Sequence, residues 1–376
     1  MGVANPLIKE KRDFQIFIKP AGPVCNLGCS YCYYLQKKDL FSSVKVMDAN
    51  LLELLIRQQI EATTEPVVTF SWHGGEPLIA GIDFYRKAIC LQQKYCPPGK
   101  TIKNAIQTNG TLVDESWCRF FADHGFGVGI SMDGPEALHN SFRVDKTGAG
   151  TFRKVMDAFD LLVMHGVEPE VLCVIHSQNM KYPKEIYRFF IDLGISFLTF
   201  IPLVERLNGR VTEDSADPES FGTFLCTVFD EWQKKGIGKI KIQIIEEALR
   251  VALNIPHSLC IFRPECGGIP VIEHNGNFYS CDHYVTGEHL VGNILEKTVS
   301  GMLDCDRQQS FGRMKASLPQ YCLKCEVLSM CHGECPKNRF ITTPDGEPGL
   351  NYLCRGYRMF FNHCMPMVEA MRGCRL

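Results

Sequence analysis

The sequence predicts an α/β fold: a partial parallel barrel of six strand–helix units, followed by a cysteine-rich region that closes on a C-terminal helix. Two observations predict it. From about residue 14 to 204, apolar patterning alternates between strand-like and helix-like segments, which implies a parallel sheet with helices packed outside it. After about residue 236 the alternation stops, and the chain turns rich in Cys, Gly and Pro with short elements. Six units suit an open or incomplete barrel better than a closed one of eight.

The elements follow in order. "FQIFIKP" (14–20) reads as a strand leading into a loop with three cysteines. "DANLLELLIRQQIEATT" (48–64) has apolar residues at helical spacing, with Asp48 as N-cap. "VVTFSWHGG" (67–75) is β-branched and aromatic and stops at two glycines; "DFYRKAICLQQKY" (83–95) is helical. "IKNAIQTNG" (102–110) is a strand, and "DESWCRFFADHG" (114–125) a helix with a glycine stop. Strands at 126–134, 170–177 and 196–204 alternate with helices at 151–166 and 183–193. "VIEHNGNFYSCD" (271–282) reads as a hairpin turning at Asn-Gly, and a last helix runs to about 372. The expected division is an N-terminal extension (1–13), the barrel (14–236) and the cysteine-rich part (237–376). The strands end in "CNLGC", "HGGEP", "QTNG", "SMDG" and "HSQN". In parallel barrels the chemistry lies on that face, so these loops are expected to share a site.

Bulk properties narrow the class. The chain has 376 residues, 45% of them apolar, and a net charge of −2, so nothing argues for a nucleic-acid or membrane-surface partner. No apolar run reaches the length of a spanning helix, and the first fifteen residues hold no signal-peptide core, so the chain reads as cytoplasmic. Nineteen cysteines are the anomaly. Reducing conditions disfavour structural disulfides, so clustered thiols point to metal or redox chemistry. Cys25, Cys29 and Cys32 are spaced C-x3-C-x2-C within "GPVCNLGCSYCYYL". A cubane iron–sulfur cluster takes four thiolates, so three leave one iron open for a small chelating molecule. Zinc would want a fourth ligand nearby, and none follows. A second array, Cys260, Cys266, Cys281, Cys322, Cys325, Cys331, Cys335 and Cys354, could fill two complete cubanes or one to two zinc sites.

"CNLGCSYC" resembles the cysteine loop of the radical S-adenosylmethionine (radical SAM) enzymes, and the following segments keep that family's order. The resemblance implies an open iron that binds S-adenosylmethionine and yields a 5′-deoxyadenosyl radical. It assigns Gly75 of "HGGEP" to the methionine amino group, Tyr31 and Val204 to adenine, and Ser131 and Arg143 to ribose and carboxylate. The second array resembles the SPASM extension, which carries two auxiliary [4Fe–4S] clusters, making three in all. That resemblance groups Cys260, Cys266, Cys281 and Cys335 as one set, and Cys322, Cys325, Cys331 and Cys354 as the other.

Over residues 14–365 the stretches "WHGGEPL", "IQTNGTLVDESW", "SMDGP", "SCDHYV" and "CHGECPKNRF" resemble the anaerobic sulfatase-maturating enzymes. These oxidise a cysteine or serine of a sulfatase polypeptide, in a Cys/Ser-x-Pro-x-Arg motif, to Cα-formylglycine. The resemblance implies Asp282 as the base, Tyr34 as a residue orienting the substrate side chain, and an electron donor such as flavodoxin or ferredoxin. His283 and Glu76 read better as supporting or turn residues. Two rivals stand beside this: another SPASM peptide modifier, forming crosslinks or epimerising residues, and a zinc-stabilised binding protein. The remaining cysteines, from Cys90 to Cys374, read as small buried or partly buried hydrophobes.

Overall fold

The computed structural model describes residues 14–41 and 46–373; the expected N-terminal extension and Cys374 lie outside the described residues. Six parallel strands form its centre: β1 (Phe17–Lys19), β2 (Val67–Trp72), β3 (Thr101–Thr108), β4 (Gly127–Ser131), β5 (Glu170–Ile175) and β6 (Phe197–Pro202). Helices α1 (Ala49–Ala62), α2 (Ile82–Tyr95), α3 (Glu115–His124), α4 (Glu136–Asn140), α5 (Phe152–Met164) and α6 (Pro183–Asp192) lie between them. Local signals account for most of their ends. Asp48 caps α1 by accepting from Asn50 and Leu51, Asp114 caps α3 through Trp117, and Gly125 ends α3 in the left-handed region at φ 59°. Such a cap contributes about 1 kcal/mol. In α5 the buried face is Val155, Ala158, Phe159 and Leu162, the three-four spacing of one helical stripe.

The structure differs from the sequence reading beyond residue 204, where strand and helix continue to alternate. A small hairpin, β7 (Arg206–Leu207) and β8 (Arg210–Val211), leads to the 18-residue helix α7 (Pro218–Lys235). Then β9 (Lys241–Ile242) adds to β6 in parallel, and α8 (Gln243–Ala252) follows. At the other edge β10 (Val271–Glu273) pairs in parallel with β1, placing Phe17 opposite Val271 and Lys19 opposite Glu273. Strands β11 (Asn277–Tyr279) and β12 (Leu290–Asn293) continue antiparallel from β10. One ten-stranded sheet therefore runs across the division near residue 236. Composition changes there, but hydrogen bonding does not stop.

The rest of the chain is short helices α9 (Val299–Leu303), α10 (Asp306–Met314), α11 (Gln320–Leu323) and α12 (Leu328–Cys331), the hairpin β13 (Ile341–Thr342) and β14 (Pro348–Leu350), and α13 (Cys354–Gly373). Helix α13 crosses α7 closely. A Cβ added to Gly356 would lie 2.3 Å from the Pro218 carbonyl, so only glycine permits that approach. The core continues from Ile16 and Ile18 of the first strand region through α7 to Phe360 and Val368 of α13.

Candidate active site

The cysteine loop is held on two sides by main-chain bonds. Gly28 donates to the Val144 carbonyl at 2.9 Å; Gly75 donates to Gly22 at 2.9 Å and Glu76 to Val24 at 2.8 Å. A Cβ at Gly75 would meet the Val24 carbonyl at 2.2 Å. The glycine thus has a visible cause in this structure: it lets the loop after β2 lie against the cysteine loop. Glu76 is a turn residue, as expected, and a buried one. It accepts from Leu78, Thr108 and Asn109, while burial pushes its carboxyl up to about 7.

Cys25 and Cys29 are buried and Cys32 is half-buried. Burial raises the Cys25 thiol to about 11, and the charges of Glu76, Cys29 and Cys32 add to the rise. Thiols whose ionisation their neighbours oppose, as at Cys25 and Cys29, are poor neighbours unless a cation binds them as thiolates. The residues beside them gather on Asp133. Its carboxylate accepts from Tyr31 Oη at 2.6 Å, from Arg143 Nε at 2.8 Å and Nη2 at 3.3 Å, and from the Val174 amide at 2.9 Å. Burial works against its charge, but Arg143 overrides that and holds Asp133 below the usual carboxylate range. Arg143, expected to face the ligand carboxylate, and Tyr31, expected at adenine, are therefore both bonded to a protein carboxylate. Ser131 accepts from Gln107 at 3.1 Å. Val204 is buried, and its carbonyl takes Lys337 Nζ at 2.6 Å.

The eight later cysteines gather into two groups through the fold. Cys260, Cys266, Cys281 and Cys335 lie near enough that their charges disfavour one another. Cys322, Cys325, Cys331 and Cys354 do the same, and together line one pocket with Tyr321 and Arg358. All are free thiols. Among the described residues no three His, Cys, Asp or Glu side chains converge as a single metal ion requires. Each set holds four thiols, the number of ligands a complete cubane cluster takes. Between Cys331 and Cys335, His332, Gly333 and Glu334 all have positive φ, at 44°, 69° and 51°. This run turns three carbonyls toward Arg339, whose Nε and Nη2 bond them at 2.8–3.0 Å.

Asp282 joins the two halves. Its Oδ1 lies 2.5 Å from Lys19 Nζ, and its Oδ2 accepts a hydrogen bond from the Tyr33 hydroxyl. Lys19 is wholly buried. Burial works to raise Asp282, but Lys19 wins and holds it well below the usual carboxylate range. Nearby, His73 stacks on Phe17 with ring centres 4.9 Å apart, and His283 lies 5.4 Å from the Tyr33 ring. Burial lowers both imidazoles to about 4, leaving them neutral at pH 7. Tyr34 departs from expectation. It is 2% exposed, lies under Lys19 Nζ at 3.7 Å, and donates its hydroxyl to Glu273. The adjacent Tyr33, not Tyr34, reaches Asp282. Sequence reasoning missed Tyr33, Lys19, Glu273 and Asp133. Lys19 did leave a signal: a cation two residues from Phe17, hence on the same strand face, in an apolar strand needs a buried partner. Cys90 also departs from expectation, being exposed.

The radical SAM superfamily model matches residues 20–190, and the SPASM iron–sulfur cluster-binding domain matches 266–326. A serine-type anaerobic sulfatase-maturating enzyme of Bacteroides thetaiotaomicron is 44% identical over 96% of this chain and 92% of its own. A cysteine-type enzyme of Clostridium perfringens is 33% identical over 94% and 96%. A solved structure, native anSMEcpe with bound AdoMet and Cp18Cys peptide, superposes with a TM-score of 0.87 at 31% identity, covering 96% of this chain and 99% of that one. The chain belongs to the anaerobic sulfatase-maturating enzymes of the radical SAM superfamily.

Proposed function

We propose that this protein oxidises one serine or cysteine side chain of a sulfatase polypeptide to Cα-formylglycine, with Asp282 as the base. The observation that carries the reading is the Tyr33–Asp282 hydrogen bond. Tyr33 follows Cys32 and Asp282 follows Cys281, so one carboxylate stands between the first cysteine loop and the first set of the second array. The protein takes S-adenosylmethionine and [4Fe–4S] clusters; when bound, these supply hydrogen-atom abstraction at the substrate Cβ and an acceptor for one electron. Cys25, Cys29 and Cys32 would hold the cluster with the open iron, and the two sets of four would hold the auxiliary clusters.

The remaining work belongs to side chains. Loss of hydrogen and an electron from Cβ acidifies the substrate hydroxyl or thiol, and its proton must go to a group within hydrogen-bond reach. Asp282 Oδ1 has no hydrogen-bond partner among the described residues beyond its ionic contact with Lys19. Lys19 keeps it ionised, and Tyr33 fixes the other oxygen. Tyr34 acts one step back, pinning Lys19 from below. Gly75, Tyr31, Ser131, Arg143 and Val204 frame the S-adenosylmethionine side, with Arg143 held in place by Asp133.

We also infer that the substrate motif is Ser/Cys-x-Pro-x-Arg, that a flavodoxin or ferredoxin supplies electrons, and that the protein works in the cytoplasm, where thiols stay reduced. Among the described residues no helix is long and apolar enough to cross a membrane. The change of chemistry near residue 236 separates the S-adenosylmethionine unit from the auxiliary unit, although the sheet is shared. The test is anaerobic incubation of the iron-loaded protein with S-adenosylmethionine, reductant and a peptide bearing the motif, with Ser and Cys forms run in parallel. An aldehyde at the target residue, and transfer of deuterium from its Cβ into 5′-deoxyadenosine, are expected. If 5′-deoxyadenosine forms without an aldehyde on either peptide, the reading is wrong.

A further inference from the structure

Two cations, one buried and one half-buried, lie beside the cysteine sets, and the mechanism above does not use them. Lys315 is wholly buried. Its Nζ donates to the carbonyls of Cys260 and Ile261, both at 2.7 Å, and to that of Arg263. Arg339 Nη1 donates to the Lys315 carbonyl at 2.7 Å, and its other nitrogens bond the carbonyls of residues 332–334, between Cys331 and Cys335. Among the described residues neither cation forms an ion pair. The contrast with the outer set is direct. Arg358, beside Cys325, is half-exposed and its charge is matched by Glu326 at 2.8 and 3.1 Å. The buried acids of this region are held by other groups: Asn338 and Asn351 bond the Glu334 carboxyl, and Glu247 takes His257, Ser258 and the Leu259 amide beside Cys260.

We infer that Lys315 makes the set of Cys260, Cys266, Cys281 and Cys335 a better electron acceptor than the set of Cys322, Cys325, Cys331 and Cys354, with Arg339 acting on both. The inference rests on the ligand assignment proposed above. The reasoning is electrostatic. One-electron reduction adds a negative charge to a cluster, and a cation fixed in a low-dielectric interior stabilises that charge far more than an exposed, paired one does. Charges and donors just outside the ligands tune a metal centre in this way. Lys315 bonds the backbone of Cys260 directly, and Cys266 is tied to the same helix through its amide to Gly312 at 3.0 Å. The first set is also the one beside Asp282. The electron leaving the substrate would thus be accepted next to the group that takes its proton.

The test is an EPR-monitored redox titration of the iron-loaded holoenzyme and of Lys315→Gln and Lys315→Met. The signal of the first set is identified as the one lost in Cys281→Ala. Gln keeps an N–H donor for the carbonyls and drops the charge; Met drops both. In both variants the first-set reduction equilibrium should fall at least tenfold, about 59 mV for one electron, with a smaller change in the other set. Lys315→Arg should stay near wild type. An unchanged potential in Lys315→Gln, or equal shifts of both sets, would overturn the inference. So would loss of first-set iron from both neutral variants, which would assign Lys315 to assembly. Wild-type protein without about eight iron beyond those of the first loop would show instead that the ligand assignment is wrong, and the inference falls with it.

Discussion

Cys25, Cys29 and Cys32 come from a single loop that the first strand delivers to the barrel face, and its neighbours hold it by main-chain bonds and by the side chains of Asn26 and Tyr31. The eight cysteines of the second array are spread from 260 to 354 over short helices, a hairpin and the start of α13, and are brought together by buried and half-buried side chains: Lys315, Arg339, and Glu247 with His257 at 2.7 Å. The first region keeps its shape because a large sheet and its helices fix the loop's ends. The second has little regular structure of its own, so its shape depends on what binds it. The same residue type should therefore fail differently in the two places, by lost chemistry in the first and by lost folding in the second.

The largest expected effect tests that contrast. Replacing Cys25, Cys29 and Cys32 together by Ala should abolish S-adenosylmethionine cleavage, keep about eight iron per chain, and lower the thermal midpoint less than Cys335→Ala does. In Cys335→Ala iron should drop and solubility fall, because metal binding and folding are coupled there. Equal thermal losses in the two variants would break the comparison. Next comes Asp282→Asn, which keeps size and most hydrogen bonding but cannot take the proton. Formylglycine formation should fall by roughly 10²–10⁴-fold with iron content unchanged; a wild-type rate would remove Asp282 as the base.

Lys19→Met sharpens the comparison at the seam between the regions. It strands a buried carboxylate, so unfolding free energy should fall by about 3–5 kcal/mol in denaturant titrations, and restoring Asp282 to neutrality with Lys19→Met/Asp282→Asn should recover part of it. The smallest effects separate the two tyrosines. Tyr33→Phe should reduce turnover with the smaller loss of stability, because Lys19 still pairs Asp282. Tyr34→Phe leaves the buried Glu273 short of a donor and should cost about 1–3 kcal/mol of stability. The reverse pattern would return Tyr34 to the place beside the substrate.

How much of this was legible follows from how local each signal is. Six strands and their helices could be read from periodicity, because apolar spacing is set residue by residue along one element. Caps such as Asp48 and Asp114 were equally local. The cysteine spacings and the Cys281–Asp282 pair were visible as strings of neighbours. Helices α7 and α8 were not called, and β9, at two residues, is too short to carry a pattern. What the chain could not announce is whatever depends on contacts between distant segments. The pairing of β10 with β1, some 250 residues earlier, puts Lys19 within 2.5 Å of Asp282. It also decides that Tyr33 rather than Tyr34 meets the carboxylate, since adjacent side chains of one turn point apart and only the surrounding packing selects which finds which partner. Which donors Asp133 takes, and that Lys315 ends against carbonyls rather than an acid, are settled in the same way. Local pattern carries the elements and the ligand types. The polarity of the site, with its buried charges and their partners, exists only once the sheet has closed across both halves, because a charge leaves water only where distant residues have already been brought to meet it.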